Sequence, residues 1–345
     1  MARITLEHVA QKAGVSIKTV SRVLNAEPNV SEETTARVRQ AIAELNYVPN
    51  SAARSLSSGK AMSVGLVVGW PVNSPYSSTL IEQTLKECTR HGYSLALFSV
   101  EVEDAITRRI IDAYLGRQMD GVILDTRAAQ DDELMSQLDA LNVPQIIIHP
   151  DRRRVAAKAS YVQIDNHLGA WQAVNYLIQL GHRRIGCISY DSSLTQETDR
   201  IAGYGQALAD AGLPFREDRT MRKAGLPFRV GFSGAVELLT AQPDLTALFA
   251  GTDEIAMGVL AAIWNLGLRV PDDVSVVGFD DISYASMIAP PLTTIHQPID
   301  EIAAIAVKHL IETVDDPDRA PIDLVMPTSL VIRKSCRALK LDVSQ

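Results

Sequence analysis

The sequence predicts a small all-α helix-turn-helix head joined to an α/β body of two Rossmann-like lobes. Three observations lead to this fold class. Apolar residues recur at every third or fourth position over the first 45 residues, and short strand-like and longer helix-like segments alternate from residue 62 onwards. Residues 1–60 carry eight Lys and Arg against five Asp and Glu, whereas the remaining chain carries 25 against 36. A basic head on an acidic body indicates two separate tasks.

Length and composition narrow the class of protein further. The chain has 345 residues, of which 46% are hydrophobic and 21% charged, so it is folded and too long for one ordinary domain. Cys88, Cys187 and Cys336 are widely spaced and form neither a disulfide framework nor a CxxC pair. The N-terminus lacks an apolar signal core, and no run of eighteen apolar residues occurs. We therefore expect a cytoplasmic protein with no membrane contact, no metal site and no cofactor.

The head, residues 1–49, is predicted to contain three helices. Thr5 precedes a first helix with one apolar face, and Gly14 ends that helix because glycine readily adopts a positive φ. Ser16 is a good N-cap for a second helix and Ser31 for a third. Two short helices joined by a tight turn that contains glycine indicate a helix-turn-helix.

The outward face of the second helix carries residues suited to DNA, namely Ile17, Lys18, Thr19, Ser21 and Arg22. Arg22 can donate to the O6 and N7 atoms of guanine, and Lys18 can donate to guanine or thymine acceptors. Ile17 can pack on a thymine methyl group, while hydroxyl groups can hold phosphates. The alternative is a generic three-helix bundle with a solvated face.

Three strings of the head, ITLEHVAQKAGVSIKTVSRVLN, NVSEET and LNYVPNSAARSL, closely resemble the LacI/GalR family of bacterial transcription regulators. The resemblance covers the whole head and implies that Ile17, Lys18 and Arg22 read bases in the major groove. It also implies that Tyr47 and Asn50 tie the head to the backbone and the hinge. Further residues match positions that hold phosphates or cap helices, namely Thr5, Ser16, Thr19, Ser21, Asn25 and Ser31.

Residues 50–60, NSAARSLSSGK, form the predicted hinge. They are small and polar apart from Leu56, as expected of a linker. The family resemblance implies that this segment folds into a short helix only on operator DNA, where Leu56 wedges into the minor groove beside Ala53 and Arg54. Ordering on DNA gives the body a means to change DNA affinity. The plainer alternative is that Leu56 packs against a domain.

The body, residues 61–345, alternates strand candidates such as SVGLVVGW, GVILD and VSVVGFD with amphipathic helix candidates, among them segments near 166–180, 231–241 and 253–266. Short continuous runs of Val, Ile and Leu are typical of strands buried on both faces of a parallel sheet. The number of β-α units is too large for one sheet. We expect an N-terminal lobe over about 61–161 and 293–325, and a C-terminal lobe over about 162–292 and 326–345. Such lobes bind ligands at the carboxyl ends of their strands.

We expect six residues to line a cleft between the lobes: Trp70, Asp125, His149, Arg200, Thr252 and Asp280. Arg200 lies in a predicted helix, and the other five follow predicted strands. Carboxylates accept hydrogen bonds from hydroxyl pairs, an arginine donates to ring and hydroxyl oxygens, and an aromatic ring packs on C–H faces. This set suits a polyol such as a sugar. Structural roles remain open for Asp280 as a helix cap, Arg200 as a surface ion pair and His149 as a structural histidine.

The body also resembles the LacI/GalR effector domain, which is similar to type I periplasmic sugar-binding proteins, through GVIL, LGHRRIG, RIAGY, VSVVGFDD and PPLTTIHQP. The resemblance assigns effector contacts to Arg200 and Asp280. It places five more residues at lining positions, namely Ser74, Tyr76, Asp125, His149 and Thr252. Ser74 and Thr252 stand where many relatives carry Asn, so no relative's effector can simply be transferred to this chain.

These features predict a ligand-responsive, sequence-specific transcription regulator, a repressor of carbohydrate-utilisation genes that responds to a neutral saccharide or glycoside. A homodimer would place two recognition helices on the half-sites of a near-palindromic operator in double-stranded DNA. Either Leu226 or Phe228 would supply an apolar cleft wall. The alternatives are a regulator of a nucleobase or nucleoside and a non-regulatory sugar-binding protein. An enzyme with catalytic residues is not expected, because GxGxxG, GxSxG and HExxH motifs are missing.

Overall fold

The computed structural model describes residues 4–24, 30–45, 47, 59–69, 71–100, 106–151, 153, 159–191 and 194–339. The chain divides into two compact units, Met1–Met62 and Ser63–Gln345. Some residues discussed above lie outside the described residues, namely Asn25, Asn50, Ala53, Arg54, Leu56 and Trp70.

The first unit contains the three helices that the sequence predicts: α1 Leu6–Ala13, α2 Ile17–Leu24 and α3 Glu32–Glu44. Gly14 ends α1 with a φ of +64°, which leaves only a short turn before α2. Val9, Val20 and Val38, one from each helix, are fully buried. Their apolar stripes therefore meet in one small core, as the helical spacing requires.

The second unit contains the remaining described elements. Its helices are α4 Pro75–Arg90, α5 Ile106–Leu115, α6 Asp132–Ala140, α7 Asn166–Gln179, α8 Thr195–Asp210, α9 Pro227–Ala241, α10 Asp253–Asn265 and α11 Ile299–Asp315. Its strands are β1 Ser63–Val68, β2 Ser94–Ser99, β3 Gly121–Leu124, β4 Gln145–Ile148, β5 Ser160–Ile164, β6 Ile185–Tyr190, β7 Thr220–Lys223, β8 Ala247–Ala250, β9 Ser275–Val277, β10 Thr294–His296, β11 Asp323–Met326 and β12 Ser329–Val331.

Two parallel sheets organise this unit. One has the strand order β11-β5-β4-β3-β1-β2, and the other has the order β7-β6-β8-β9. We call the lobes built on them the N-lobe and the C-lobe. β10 and β12 form a separate antiparallel pair. Parallel neighbours need crossover connections, and the helices between the strands supply them, so the two Rossmann-like lobes are as predicted.

Three chain segments connect the lobes. The first segment follows β5, and the second runs from β9 through β10 to α11. The third joins β11 to β12. The first connection comes later than the expected end of the N-lobe segment at residue 161, because Ile164 still pairs with Met326 in the N-lobe sheet.

Aliphatic side chains dominate the interior of both lobes. Leu66, Ile123 and Leu124 are fully buried in the N-lobe strands, and Leu248 and Val276 in the C-lobe strands. Strands covered by helices on both faces require such residues. In the described part of the chain, no helix combines the length and the apolar character needed to cross a membrane.

Candidate functional sites

A cavity of about 490 Å³ lies between the two lobes. Residues after β1, β3 and β4 line it from the N-lobe, and residues after β6, β7, β8 and β9 line it from the C-lobe. Its size lies within the range of roughly 300–1,000 Å³ that is typical of small-molecule sites. The carboxyl edge of parallel sheets is also where α/β folds bind their ligands.

The cavity brings together six of the seven residues proposed from the sequence for effector contact: Ser74, Tyr76, His149, Arg200, Thr252 and Asp280. Ser74 and Thr252 also begin helices. The hydroxyl of Ser74 accepts a hydrogen bond from the N–H of Ser77, and that of Thr252 accepts one from the N–H of Ile255. These two hydroxyl residues therefore act as N-caps of α4 and α10 while facing the cavity.

Asp125 is the seventh residue, and the structure does not bring it to the cavity surface. Its side chain is only 4% exposed. One carboxylate oxygen accepts the N–H of Gly69 and the other accepts the N–H of Ala128, both at 2.8 Å. Asp125 thus holds the turn after β3 against the end of β1, and its neighbour Thr126 reaches the cavity instead.

Arg200 and Asp280 form a buried ion pair in the cavity wall. Nη1 of Arg200 lies 3.3 Å from Oδ1 of Asp280 and donates to the main-chain oxygen of Gly251 at 2.6 Å. Nε donates to Oδ1 of Asn166 at 2.9 Å, and the guanidinium lies 3.8 Å from the ring centroid of Phe279. A planar group held by stacking and by several hydrogen bonds is fixed in orientation before any ligand arrives.

Burial dominates the electrostatics of two neighbouring carboxyl groups, those of Asp280, which lines the cavity, and Asp253, which does not. It raises the pKa of Asp280 to about 7, although Arg200 and a 2.7 Å hydrogen bond from Nε2 of Gln297 both favour the charged form. Asp253, which accepts a hydrogen bond from the hydroxyl of Thr294 at 2.5 Å, is also buried. Burial and the nearby charge of Asp280 raise the pKa of Asp253. Burial therefore favours the protonated form of both carboxyl groups.

The raised pKa of Asp280 predicts a pH-dependent stability difference. The folded state holds the proton more tightly than the unfolded state, so this contribution to the unfolding free energy is present below about pH 4 and is lost as the pH rises through about 7. Asp280→Asn, which is always neutral, should gain stability relative to the natural protein as the pH rises from about 4 to about 7, by up to about 1.4 kcal/mol per pH unit. Urea unfolding followed by circular dichroism measures this. Asp272→Asn on the surface is the control, and a difference independent of pH would contradict the assignment.

His149 is neutral in this site. Burial, and secondarily the charge of Arg200, lower its pKa to about 3. Its ring lies 6.2 Å from the ring of Tyr76, measured between centroids, and burial raises the pKa of Tyr76. Nδ1 of His149 accepts the N–H of Ile164 at 3.4 Å, whereas Nε2 has no partner among the described residues. A neutral ring whose Nδ1 accepts must carry its proton on Nε2, which is therefore a donor.

Thr126 and Tyr190, which follow predicted strands and were expected at the cleft, also line the cavity. Sequence reasoning missed several other lining residues: Asn166, Gln196, Glu197 and Gln297. A helical signal for two of them was available. Gln196 and Glu197 lie four and three residues before Arg200 in α8, so they share its face. Of the two residues considered for the apolar wall, Leu226 lines the cavity together with Pro227, and Phe228 is not among the lining residues.

The exposed surface of α2 carries the proposed base-reading residues. Ile17 is 46% exposed although it is apolar, Lys18 is exposed and Arg22 is half-buried. The hydroxyl of Ser16 accepts a hydrogen bond from the N–H of Thr19 at 3.1 Å, so Ser16 is the N-cap of α2. The residues proposed to read bases thus lie on α2 outside the apolar core of the head, to which this helix contributes Val20 and Val23.

The other proposed DNA-contact residues of the head have local roles in the structure. The main-chain N–H of Thr5 donates to Nδ1 of His8 at 3.1 Å, and Thr5 is the N-cap of α1. Ser31 begins α3, where its hydroxyl accepts the N–H of Thr34. Tyr47 is buried in the core of the head. Ser21 is half-buried on α2.

Both the head and the body match known protein families. Residues 5–50 match the family model for bacterial regulatory proteins of the lacI family, and residues 174–336 match that for a periplasmic binding protein-like domain. The ribose operon repressor of Escherichia coli K12 is 36% identical over 315 residues, which cover 91% of this chain and 94% of the repressor. The chain belongs to the LacI family. It is therefore a DNA-binding transcription regulator and not an enzyme.

Other LacI-family relatives match along almost their whole length. The transcriptional regulator CelR of Thermobifida fusca is 34% identical, with 96% of this chain and 98% of CelR covered. The repressor PurR of Pasteurella multocida is 32% identical, with 97% and 99% covered. Relatives with different names thus match at similar identity, so family membership alone does not identify the effector of this chain.

Solved LacI-family structures share the fold. The Lac repressor dimer bound to operator and the anti-inducer ONPF has a TM-score of 0.75 at 28% identity, with 98% of this chain and all of that chain covered. A CelR–cellobiose complex has a TM-score of 0.73 at 32% identity, with 96% and 100% covered. A LacI-family regulator from Enterococcus faecium with bound ribose has a TM-score of 0.71 at 26% identity, with 81% and 100% covered.

Proposed function

We propose that this LacI-family regulator is a cytoplasmic, homodimeric repressor of carbohydrate-utilisation genes, and that a neutral saccharide in the interlobe cavity changes its affinity for a near-palindromic operator. The observation that carries the proposal is the buried Arg200–Asp280 pair, surrounded by amide and hydroxyl side chains in a cavity with an apolar wall. A sugar offers hydroxyl groups to the polar groups and C–H faces to the apolar ones.

The charge of the lining favours a neutral ligand. Two arginines, Arg127 and Arg200, reach the cavity, and Arg200 is already paired with Asp280. Glu197 and Glu254 add further carboxyl groups. A multiply anionic ligand would meet more acidic than basic groups in a poorly solvated site, which opposes its binding.

Relatives of known ligand agree with a saccharide. The CelR structure contains cellobiose and the Enterococcus faecium regulator contains ribose. A nucleobase or nucleoside is the alternative. A thermal-shift screen with D-ribose, D-glucose, cellobiose, adenosine and hypoxanthine separates these classes. A ligand present at about 100 times its Kd should stabilise the body by about 2.7 kcal/mol. If hypoxanthine alone raised the melting temperature, the effector would be a nucleobase and not a saccharide.

The proposed division of labour follows the chain. The head, residues 1–49, would contact the operator, the hinge, residues 50–60, would order on DNA, and the body, residues 61–345, would bind the effector and the second subunit. Two heads in a dimer would occupy two half-sites. Because each head has a small positive charge, the second head must supply much of the affinity.

The recognition-helix assignment is tested by Arg22→Ala. Loss of a bidentate contact with guanine should weaken operator binding by about 5- to 150-fold and relax base preference at one position of each half-site. The operator is first selected from random DNA. Fluorescence anisotropy then measures the Kd of each variant for that operator and for its single-base variants. Arg37→Ala on α3 is the charge-matched control and should weaken binding equally on all sequences. Unchanged base preference in Arg22→Ala would contradict the assignment.

A further inference from the structure

The turn that carries Asp280 has an uncommon backbone conformation. Asp280 and Asp281 follow β9 and have φ values of +118° and +58°. Residues other than glycine rarely adopt a positive φ, and two of them in succession persist only where the surrounding structure holds them. Because the turn joins two fixed parts of the fold, these torsions set the direction in which the carboxylate of Asp280 leaves the main chain.

Asp253 holds the two ends of this turn. Its main-chain N–H donates to the main-chain oxygen of Phe279 at 2.7 Å, and its Oδ2 accepts the N–H of Ile282 at 2.9 Å. Asp253 is fully buried, and its Oδ1 accepts a hydrogen bond from the hydroxyl of Thr294 at 2.5 Å. These hydrogen bonds reach the residues on either side of the pair with positive φ.

A second group of contacts holds Asp281 in the middle of the turn. Nη2 of Arg333 donates to its Oδ1 at 2.6 Å, and Nδ1 of His296 donates to its Oδ2 at 3.0 Å. Arg333 follows β12 and His296 ends β10, so the carboxylate of Asp281 joins three separate stretches of chain. We call these contacts the Asp281 brace. The side chains of Arg333 and Asp281 are only 19% and 15% exposed, which strengthens their charge-assisted hydrogen bond.

Arg333 is itself fixed by the main chain around it. Its Nη1 donates to the main-chain oxygen of Leu292 at 2.8 Å, and its own N–H donates to Oγ1 of Thr293 at 3.0 Å. The guanidinium thus donates to two fixed acceptors at once, which a lysine cannot do. The cavity lining includes Asp280 but none of the three residues of the Asp281 brace, so the brace lies outside the cavity.

We propose that Arg333 is a positioning residue of the effector site. It holds Asp281 at a positive φ, and this conformation directs the neighbouring carboxylate of Asp280 towards Arg200 and the cavity. The inference rests on the proposed saccharide effector, which Asp280 would contact. Without the brace the turn relaxes, and only a fraction of the molecules presents Asp280 in the binding conformation. The apparent affinity for the saccharide then falls by that fraction.

The pair Asp281→Gly and Asp281→Ala separates the conformation of the turn from general stability. Both substitutions remove the carboxylate and with it the brace, but glycine adopts a positive φ without cost and alanine does not. Saccharide should bind Asp281→Gly about 5- to 30-fold more tightly than Asp281→Ala. A purely stabilising role predicts the opposite order, because glycine loses more conformational entropy on folding. Equal affinities, or tighter binding to Asp281→Ala, would overturn the proposal.

Arg333→Gln tests the residue outside the cavity directly. It removes the positive charge that holds Asp281 and should weaken saccharide binding at least about fivefold. Arg333→Lys keeps the charge without the second donor and should lie between Arg333→Gln and the natural protein. Lys334→Gln removes a charge from the exposed neighbouring residue and is the matched control. Natural affinity in Arg333→Gln would show that Arg333 does not position the site.

Isothermal titration calorimetry measures these affinities in the full-length protein. The saccharide is chosen from D-ribose, D-glucose and cellobiose by thermal shift, and the temperature is one at which circular dichroism shows every variant to be folded.

A further measurement needs no effector. Hydrogen–deuterium exchange in peptides covering residues 278–284 should become about fivefold faster or more in Arg333→Gln and Asp281→Ala, and remain unchanged in Lys334→Gln. Unchanged exchange in both brace variants would show that the Asp281 brace does not hold the turn. If no saccharide binds the natural protein, the proposed function fails and the positioning role fails with it, while the exchange still decides whether the brace holds the turn.

Discussion

Arg200→Ala is expected to weaken saccharide binding by at least about 100-fold and to destabilise the body by about 3–5 kcal/mol. Breaking a buried ion pair leaves its partner, here Asp280, as an uncompensated buried charge. The substitution also removes the donors to Asn166 and Gly251 and the stacking on Phe279. Asp280 can relieve part of this cost by staying protonated, because the charge of Arg200 lowers the pKa of Asp280 and its removal lets burial raise that pKa further. The loss of stability should therefore be smaller at pH 5 than at pH 8.

Arg200→Lys tests whether geometry or charge matters more. Lysine keeps the positive charge near Asp280 but cannot stack on Phe279 and bond two fixed acceptors at once. It should recover most of the stability and little of the saccharide affinity. Isothermal titration calorimetry gives the saccharide affinity, and urea unfolding gives the free energy of unfolding. Arg269→Ala, which removes an exposed ion pair with Asp273, is the control. Full saccharide affinity in Arg200→Lys would mean that the guanidinium does not contact the ligand.

The sequence predicts the larger helices of the body closely, and the reason is physical. Apolar spacing places helices near 166–180 and 253–266, and the structure has Asn166–Gln179 and Asp253–Asn265. The helix expected near residue 231 begins earlier, at Pro227, because proline is favoured in the first turn of a helix. β7 and β10 were not expected, because TMRK and TIH are too short and too polar to form an apolar run.

Local sequence cannot separate a carboxylate that caps a turn from one that faces a ligand. Asp125 and Asp280 both follow buried parallel strands, and both were expected in the cleft. Asp125 turns inward to two main-chain N–H groups. Asp280, with a φ of +118°, faces the cavity. Gln297 was not predicted for a related reason. It follows a short strand, and nothing in the neighbouring sequence indicates that the fold brings its amide to the cavity.

Gly231→Ala is expected to destabilise the body by more than about 3 kcal/mol. Gly231 lies on α9 where it crosses α10, and a Cβ there would lie 2.0 Å from the main-chain oxygen of Ile255. Gly258 makes the reciprocal contact, since its Cβ would lie 2.1 Å from the main-chain oxygen of Phe228. The obstructing atoms belong to backbone, so the helices must move apart, and overpacking of this kind is costly. Thermal unfolding should show a Tm lower by about 6–12 °C.

Gly205→Ala separates this steric effect from the general effect of removing a helical glycine. At Gly205 in α8 the nearest atom to an added Cβ is 3.4 Å away, an ordinary contact, so alanine should leave stability unchanged or raise it by up to about 1 kcal/mol. The pair α9 and α10 also sets the cavity, because Leu226 precedes α9 and Thr252 precedes α10. Separating the helices should therefore weaken saccharide binding in Gly231→Ala even at temperatures where the variant is folded. Natural affinity together with natural stability would show that the two helices can move apart without cost to the cleft.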